Sequence, residues 1–152
     1  MKGFEDQHKS KKKTNKINKP SKEQLINQAF KLHSQGNILE AAKYYQYFLD
    51  QGFEDYRVFS NYGVILKDLG NFKEAEISTR KALDLNISFF EAHYNLGNIF
   101  MALGKLIEAE KSYRKTIELN PKFSKAHMNL GLICADLGKL KEAECSTRKA
   151  IE

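Results

Sequence analysis

The chain has 152 residues, a formal net charge of +6 and two cysteines, a length that suits one compact or extended domain. The charge is lopsided: residues 1–20 hold seven lysines against Glu5 and Asp6, which leaves the other 132 residues at +1. The basic balance therefore describes a tail and does not imply a nucleic-acid-binding body, and Cys134 and Cys145 fit neither a disulfide framework nor a zinc motif.

Residues 1–21 read as a disordered lysine-rich leader. Lys, Asn, Ser and Gln dominate it, and such a stretch buries too little apolar surface to offset the entropy of ordering. The lysines Lys9, Lys11, Lys12, Lys13, Lys16 and Lys19 admit two readings. They could neutralise phosphates on nucleic acid or anionic lipid, or form a solubilising leader, and the lack of interleaved aromatics favours the leader. No apolar core follows that charge, so no secretory signal is expected there, and no apolar run approaches the ~20 residues of a membrane helix. The expected setting is cytoplasmic, with both thiols reduced.

Ser21 with Gln24 three places on is a helix-start signature. From Lys22 the pattern turns helical and repeats every 34 residues, in units 22–55, 56–89, 90–123 and 124–152, the last incomplete. Asn61–Gly63, Asn95–Gly97 and Asn129–Gly131 keep this step, and Ser78–Ala82 returns as Ser146–Ala150 with Ser112–Thr116 a weaker copy between. A period of this size means stacked supersecondary units. Each unit holds two amphipathic segments broken by Gly36, Gly70, Gly104 or Gly138, where glycine allows a left-handed helix end. Asn37 and Asn71 are expected to cap the second helices and Ser88 the first helix of the third unit. Glu40, Glu74, Glu108 and Glu142 fall in first turns, where they complement the helix dipole.

Small residues recur where helices must approach closely: Ala29, Gly63, Gly97 and Gly131 at the eighth position, Ala41, Ala75, Ala109 and Ala143 at the twentieth. Together with the apolar residues Leu66, Phe100, Phe72 and Leu106 at complementary places, this pattern resembles the tetratricopeptide repeat (TPR) family over residues 22–152. The departures are Leu25, His93 and His127 where the family has an aromatic, and Phe53 and Ile87 where it has the proline kept at Pro121. The resemblance implies an all-α solenoid: four helix-turn-helix repeats in a right-handed superhelix.

The two ends of the array differ. Gln28 and Gln35 stand in the first unit where later units carry apolar residues, as expected of a polar cap. The fourth unit stops at Glu152, inside its second helix, and predicts an exposed stacking face that takes further repeats or another copy.

No catalytic residues, metal site or cofactor are expected. His93 and His127 lie one repeat apart at a packing position, too far for one metal ion, and no phosphate loop or nucleophile elbow occurs. A polar column is the better candidate: the sixth position is asparagine in every unit, Asn27, Asn61, Asn95 and Asn129. By resemblance, the first helices line a concave groove, and this column is similar to the asparagine ladder that holds extended peptides in the TPR superhelix of O-linked N-acetylglucosamine transferases. An amide offers both donor and acceptor to a peptide backbone. The alternative is that asparagine is simply common at this position.

Arg57, Tyr94, Asn98, Lys125 and Met128 complete the expected peptide-binding set. The groove looks unlike the two-carboxylate clamp of chaperone-binding TPR domains. That clamp places lysine and asparagine where Ile26 and Phe30, or Ser60 and Val64, stand here, and beside Lys125 it needs an arginine where this chain has Asn129. The function these residues imply is a protein–protein interaction module for a protein or peptide partner. The other reading is a substrate-presenting arm of a larger glycosyltransferase- or sulfotransferase-like enzyme.

Overall fold

A computed structural model describes residues 19–151. The expected leader up to residue 18, with His8, lies outside the described residues. The described residues form eight helices, α1 (Lys22–Ser34), α2 (Ile38–Asp50), α3 (Tyr56–Asp68), α4 (Phe72–Leu85), α5 (Phe90–Ala102), α6 (Leu106–Leu119), α7 (Ser124–Asp136) and α8 (Leu140–Ile151). The described residues contain no strand, and none of their helices is long and apolar enough to cross a membrane.

Each repeat is a helical hairpin. Gly36, Gly70, Gly104 and Gly138 all have φ between 70° and 80°, a region closed to most L side chains. The residue after each glycine donates its N–H back to the ending helix, as from Asn37 to Leu32 O (2.9 Å) and from Lys139 to Cys134 O (2.7 Å). This is the six-to-one bond of a Schellman turn, and it locks one hairpin geometry into all four units.

The capping expectations divide. Ser21 accepts from Gln24 N–H while Gln24 Oε1 accepts from Ser21 N–H, a complete capping box. Asn37 and Asn71 occupy the N-cap position but make no side-chain cap. Their ψ of 64° and 62° is far from the extended value of 160° at Ser21. The backbone there is committed to the preceding Schellman turn, and Lys105 fills the same place in the third unit. Ser88 is not a cap either, because α5 begins at Phe90. The asparagine before it does the local work: Asn86 Oδ1 accepts from Ser88 N–H (3.1 Å), as Asn120 Oδ1 accepts from Lys122 N–H (3.3 Å).

The small-residue positions act as contact points. A Cβ on Gly97 would lie 2.6 Å from Tyr113 Cε1, and one on Gly131 2.6 Å from Thr147 Oγ1. The core follows as beads along the stack. Leu25, Ala29, Ala41, Tyr45, Phe48 and Ile65 pack across the first two units. Leu66, Ala75 and Ile99 bridge the second and third. Leu96, Phe100, Ala109, Tyr113, Leu130 and Ile133 join the third and fourth. His93 and His127 are buried, and each ring nitrogen Nε2 meets a loop carbonyl, of Ile87 (2.9 Å) and Pro121 (2.8 Å).

Candidate binding face

Successive first helices lie side by side, and the asparagine column runs where they meet. Asn95 of α5 donates to Ser60 Oγ of α3 (2.9 Å). Asn129 Nδ2 of α7 shares its two N–H groups among Asn98 Oδ1 (3.1 Å), Tyr113 OH (3.2 Å) and Tyr94 OH (3.3 Å). Tyr113 OH in turn donates to Asn98 Oδ1 (2.7 Å) and lies 3.0 Å from Met101 Sδ. Asn95 and Asn129 are thus tied laterally, each reaching to the repeat before it. An amide carries two N–H groups and one carbonyl oxygen, so Asn95 spends one donor on its tie.

Sequence reasoning missed Tyr113, which is fully buried and supplies the hydroxyl at the centre of this cluster. Its counterpart Tyr45 accepts or donates at His33 Nδ1 (3.1 Å). Burial pushes the Tyr45 hydroxyl up to about 12, with the Asn61 amide opposing. Burial likewise raises the Tyr113 hydroxyl, opposed by the Asn129 amide. The equivalent residues of the second and fourth units are Thr79 and Thr147. Tyrosine and threonine therefore alternate, and the column's ties alternate with them. A signal existed: the segment at Ser78–Ala82 recurs at Ser146–Ala150 and not one unit on.

The remaining expected residues fall in two groups. At the α1 end, Asn27 is exposed in an open cleft of about 540 Å³ that Ile26, Phe30, Asp55 and Arg57 also line. Arg57 is neutralised there by a forked pair with Asp55 (Nε–Oδ1 3.0 Å, Nη2–Oδ2 2.8 Å) and lies 5.6 Å over the Phe30 ring. At the α7 end, Lys125 is exposed and Met128 is half-exposed. Tyr94, partly buried, packs edge-on to Phe123 at 5.0 Å. Asn61 sits half-buried between the two ends. The face thus mixes polar, charged and apolar side chains at both ends.

One cluster elsewhere has metal-ligand chemistry. Ligand atoms of Glu110, Cys134 and Glu142 lie within 4.8 Å of one another. Arg114 Nη2 holds both carboxylates, Glu110 at 2.7 Å and Glu142 at 2.5 Å. Lys139 Nζ adds 2.7 and 2.8 Å contacts to Glu110. These cations hold the Glu110 carboxyl below the usual range, while burial raises the Cys134 thiol. The arrangement is an ion-pair network whose carboxylates are already engaged.

Models of the tetratricopeptide repeat match residues 56–86, 90–123 and 112–144. No curated protein sequence matches the chain. Among solved structures, MamA superposes with a TM-score of 0.79 at 23% identity, covering 86% of this chain and 77% of that one. YrrB, described as a TPR protein with an unusual peptide-binding site, gives 0.74 at 24% identity, covering 86% and 68%. The first TPR of Spaghetti (RPAP3), bound to the HSP90 peptide SRMEEVD, gives 0.70 at 30% identity, covering 75% of this chain and 90% of that one.

Proposed function

The chain belongs to the tetratricopeptide repeat family, and from that premise we propose that it is a non-catalytic interaction module holding an extended segment of another protein along α1, α3, α5 and α7. The observation that carries this reading is the continuous run of partly exposed amides and rings on that face: Asn27, Asn61, Tyr94, Asn95, Asn98 and Asn129. Amides fixed by lateral ties are preordered, so a ligand does not have to immobilise them on binding. Asn95 keeps a second N–H and a carbonyl oxygen for a peptide backbone, and Asn27 offers a whole amide. Lys125 adds charge at the α7 end, Arg57 a planar guanidinium paired with Asp55 at the α1 end, and Met128 an apolar seat.

The RPAP3 domain with its bound peptide supports peptide holding by a related array. By the resemblance to chaperone-binding arrays, a carboxylate clamp would need lysine and asparagine where this chain has Ile26 and Phe30, or Ser60 and Val64. The expected ligand is therefore an internal segment read by backbone and apolar side chains, and SRMEEVD itself should fail to bind.

The test is capture of peptides from an unbiased display library by the full chain, set beside Asn27→Ala and Met128→Glu. Both substitutions lie at exposed places outside the lateral ties, so folding is preserved. Each should lower retention of the captured set. Equal retention by the double variant would remove this face from consideration, and so would capture of nothing.

A further inference from the structure

A three-residue clasp recurs between stacked units. In the third unit Glu110 and Arg114 pair along α6 (2.7 Å), and Lys139, which opens the next hairpin's second helix, closes on Glu110. In the second unit Glu76 pairs with Arg80 (2.7 Å), and Lys105 of the next unit approaches Glu76 at 3.7 Å. The clasped carboxylates are sheltered, with side chains 9% exposed at Glu110 and 21% at Glu76. Glu144 and Arg148 repeat the pair on α8 at 2.7 Å, but there the carboxylate is 73% exposed.

The surface around that pair matches a face that is covered one repeat earlier. Gly131, Leu132, Ala135, Ala143 and Ile151 line an open trough of about 460 Å³ with Glu144 and Arg148. Their counterparts include Gly97, Ala109 and Tyr113, of which Ala109 and Tyr113 share one core cluster with Leu130 and Ile133 of α7. Leu132 is 55% exposed in the trough.

We infer that the α7–α8 face docks a helical hairpin of this repeat type whose second helix opens with lysine, the ammonium completing the clasp on Glu144 and Arg148. Charge complementarity selects that occupant, and the trough's apolar lining selects its partner surface. The first unit of a second copy fits poorly on both counts. It offers Asn37 where the clasp needs lysine, and Gln28, Lys31 and Gln35 where the fourth unit packs Leu130, Ile133 and Leu137 into the shared core.

The probe is a synthetic peptide of residues 121–151, the chain's own lysine-bearing hairpin, titrated by fluorescence anisotropy into the full chain. Changing Lys139→Glu in the peptide should weaken binding about tenfold, the effect of one partly sheltered ion pair. The chain variant Glu144→Lys should reverse that preference, and a peptide of residues 19–50 should bind far more weakly. Where affinity in trans is too low, the same hairpin tethered after residue 152 by a flexible linker should show the same charge reversal in its urea midpoint. Loss of the reversal in the tethered form overturns the inference. So does a reversal that follows Glu110→Lys, which would mean displacement of α7–α8, or equal binding by the first-unit peptide. Concentration-dependent dimers abolished by Glu144→Lys would assign the face to a second copy instead.

Discussion

Gly97 shows how one missing side chain sets the spacing of a hairpin. Its absent Cβ would meet Tyr113 Cε1 at 2.6 Å and Cδ1 at 2.8 Å, and that ring is fully buried with no room to retreat. Gly97→Ala should therefore cost about 1–3 kcal/mol as an overpacked contact, read as a lower urea midpoint. Tyr113→Phe acts through chemistry at constant volume. Removing the hydroxyl deprives Asn98 of a donor and Asn129 of an acceptor, so a loss of about 1–2 kcal/mol is expected. Steric rules of this kind were legible, because the small residue recurs at a fixed phase in the sequence. The caps were not. Asn37, Asn71 and Ser88 have the right side chains, but a cap depends on backbone ψ, which the preceding Schellman turn dictates.

Between elements, the clasp of Glu110, Arg114 and Lys139 ties α6 to the start of α8. Both cations depress the Glu110 carboxyl, the Lys139 hydrogen bond most. A carboxyl with a lowered folded-state pKa contributes stability above its ordinary pKa of 4.5 and loses it as pH falls through the folded value. Thermal stability should thus drop on acidification below about pH 4.5, and Glu110→Gln should flatten that drop while lowering stability at pH 7. A curve unchanged by the substitution would mean that the clasp is electrostatically idle. The clasp's residues were visible one by one in the sequence, yet nothing in local pattern joins a lysine to a carboxylate 29 places earlier. Stacking geometry makes that connection. The alternation of Tyr45, Thr79, Tyr113 and Thr147 was nearer the surface of the sequence, since it doubles the period of α4 and α8 against α6.

At the scale of the whole molecule the array is nearly one-dimensional, each unit supported only by its neighbours. The third unit is packed from both sides, whereas α8 leaves Leu140, Glu144 and Ile151 exposed. Hydrogen exchange should therefore be slowest in α5 and α6 and fastest, among the helices, in α8. Uniform protection along the stack would contradict local support. The period alone made this architecture legible. The proposed binding face was less legible, because a recurring asparagine can serve packing as well as binding. Asn95 and Asn129 tie neighbouring repeats together, and in the proposed function the same column faces the ligand.

That double use makes the location of a bound segment the sharpest test. A peptide captured by the full chain can be titrated into isotope-labelled protein while the side-chain amide and backbone resonances are followed. The account predicts shifts confined to α1, α3, α5 and α7, with Asn27, Asn95, Tyr94 and Met128 among the most perturbed. Shifts concentrated on α2, α4, α6 and α8, with the asparagine column unmoved, would contradict it.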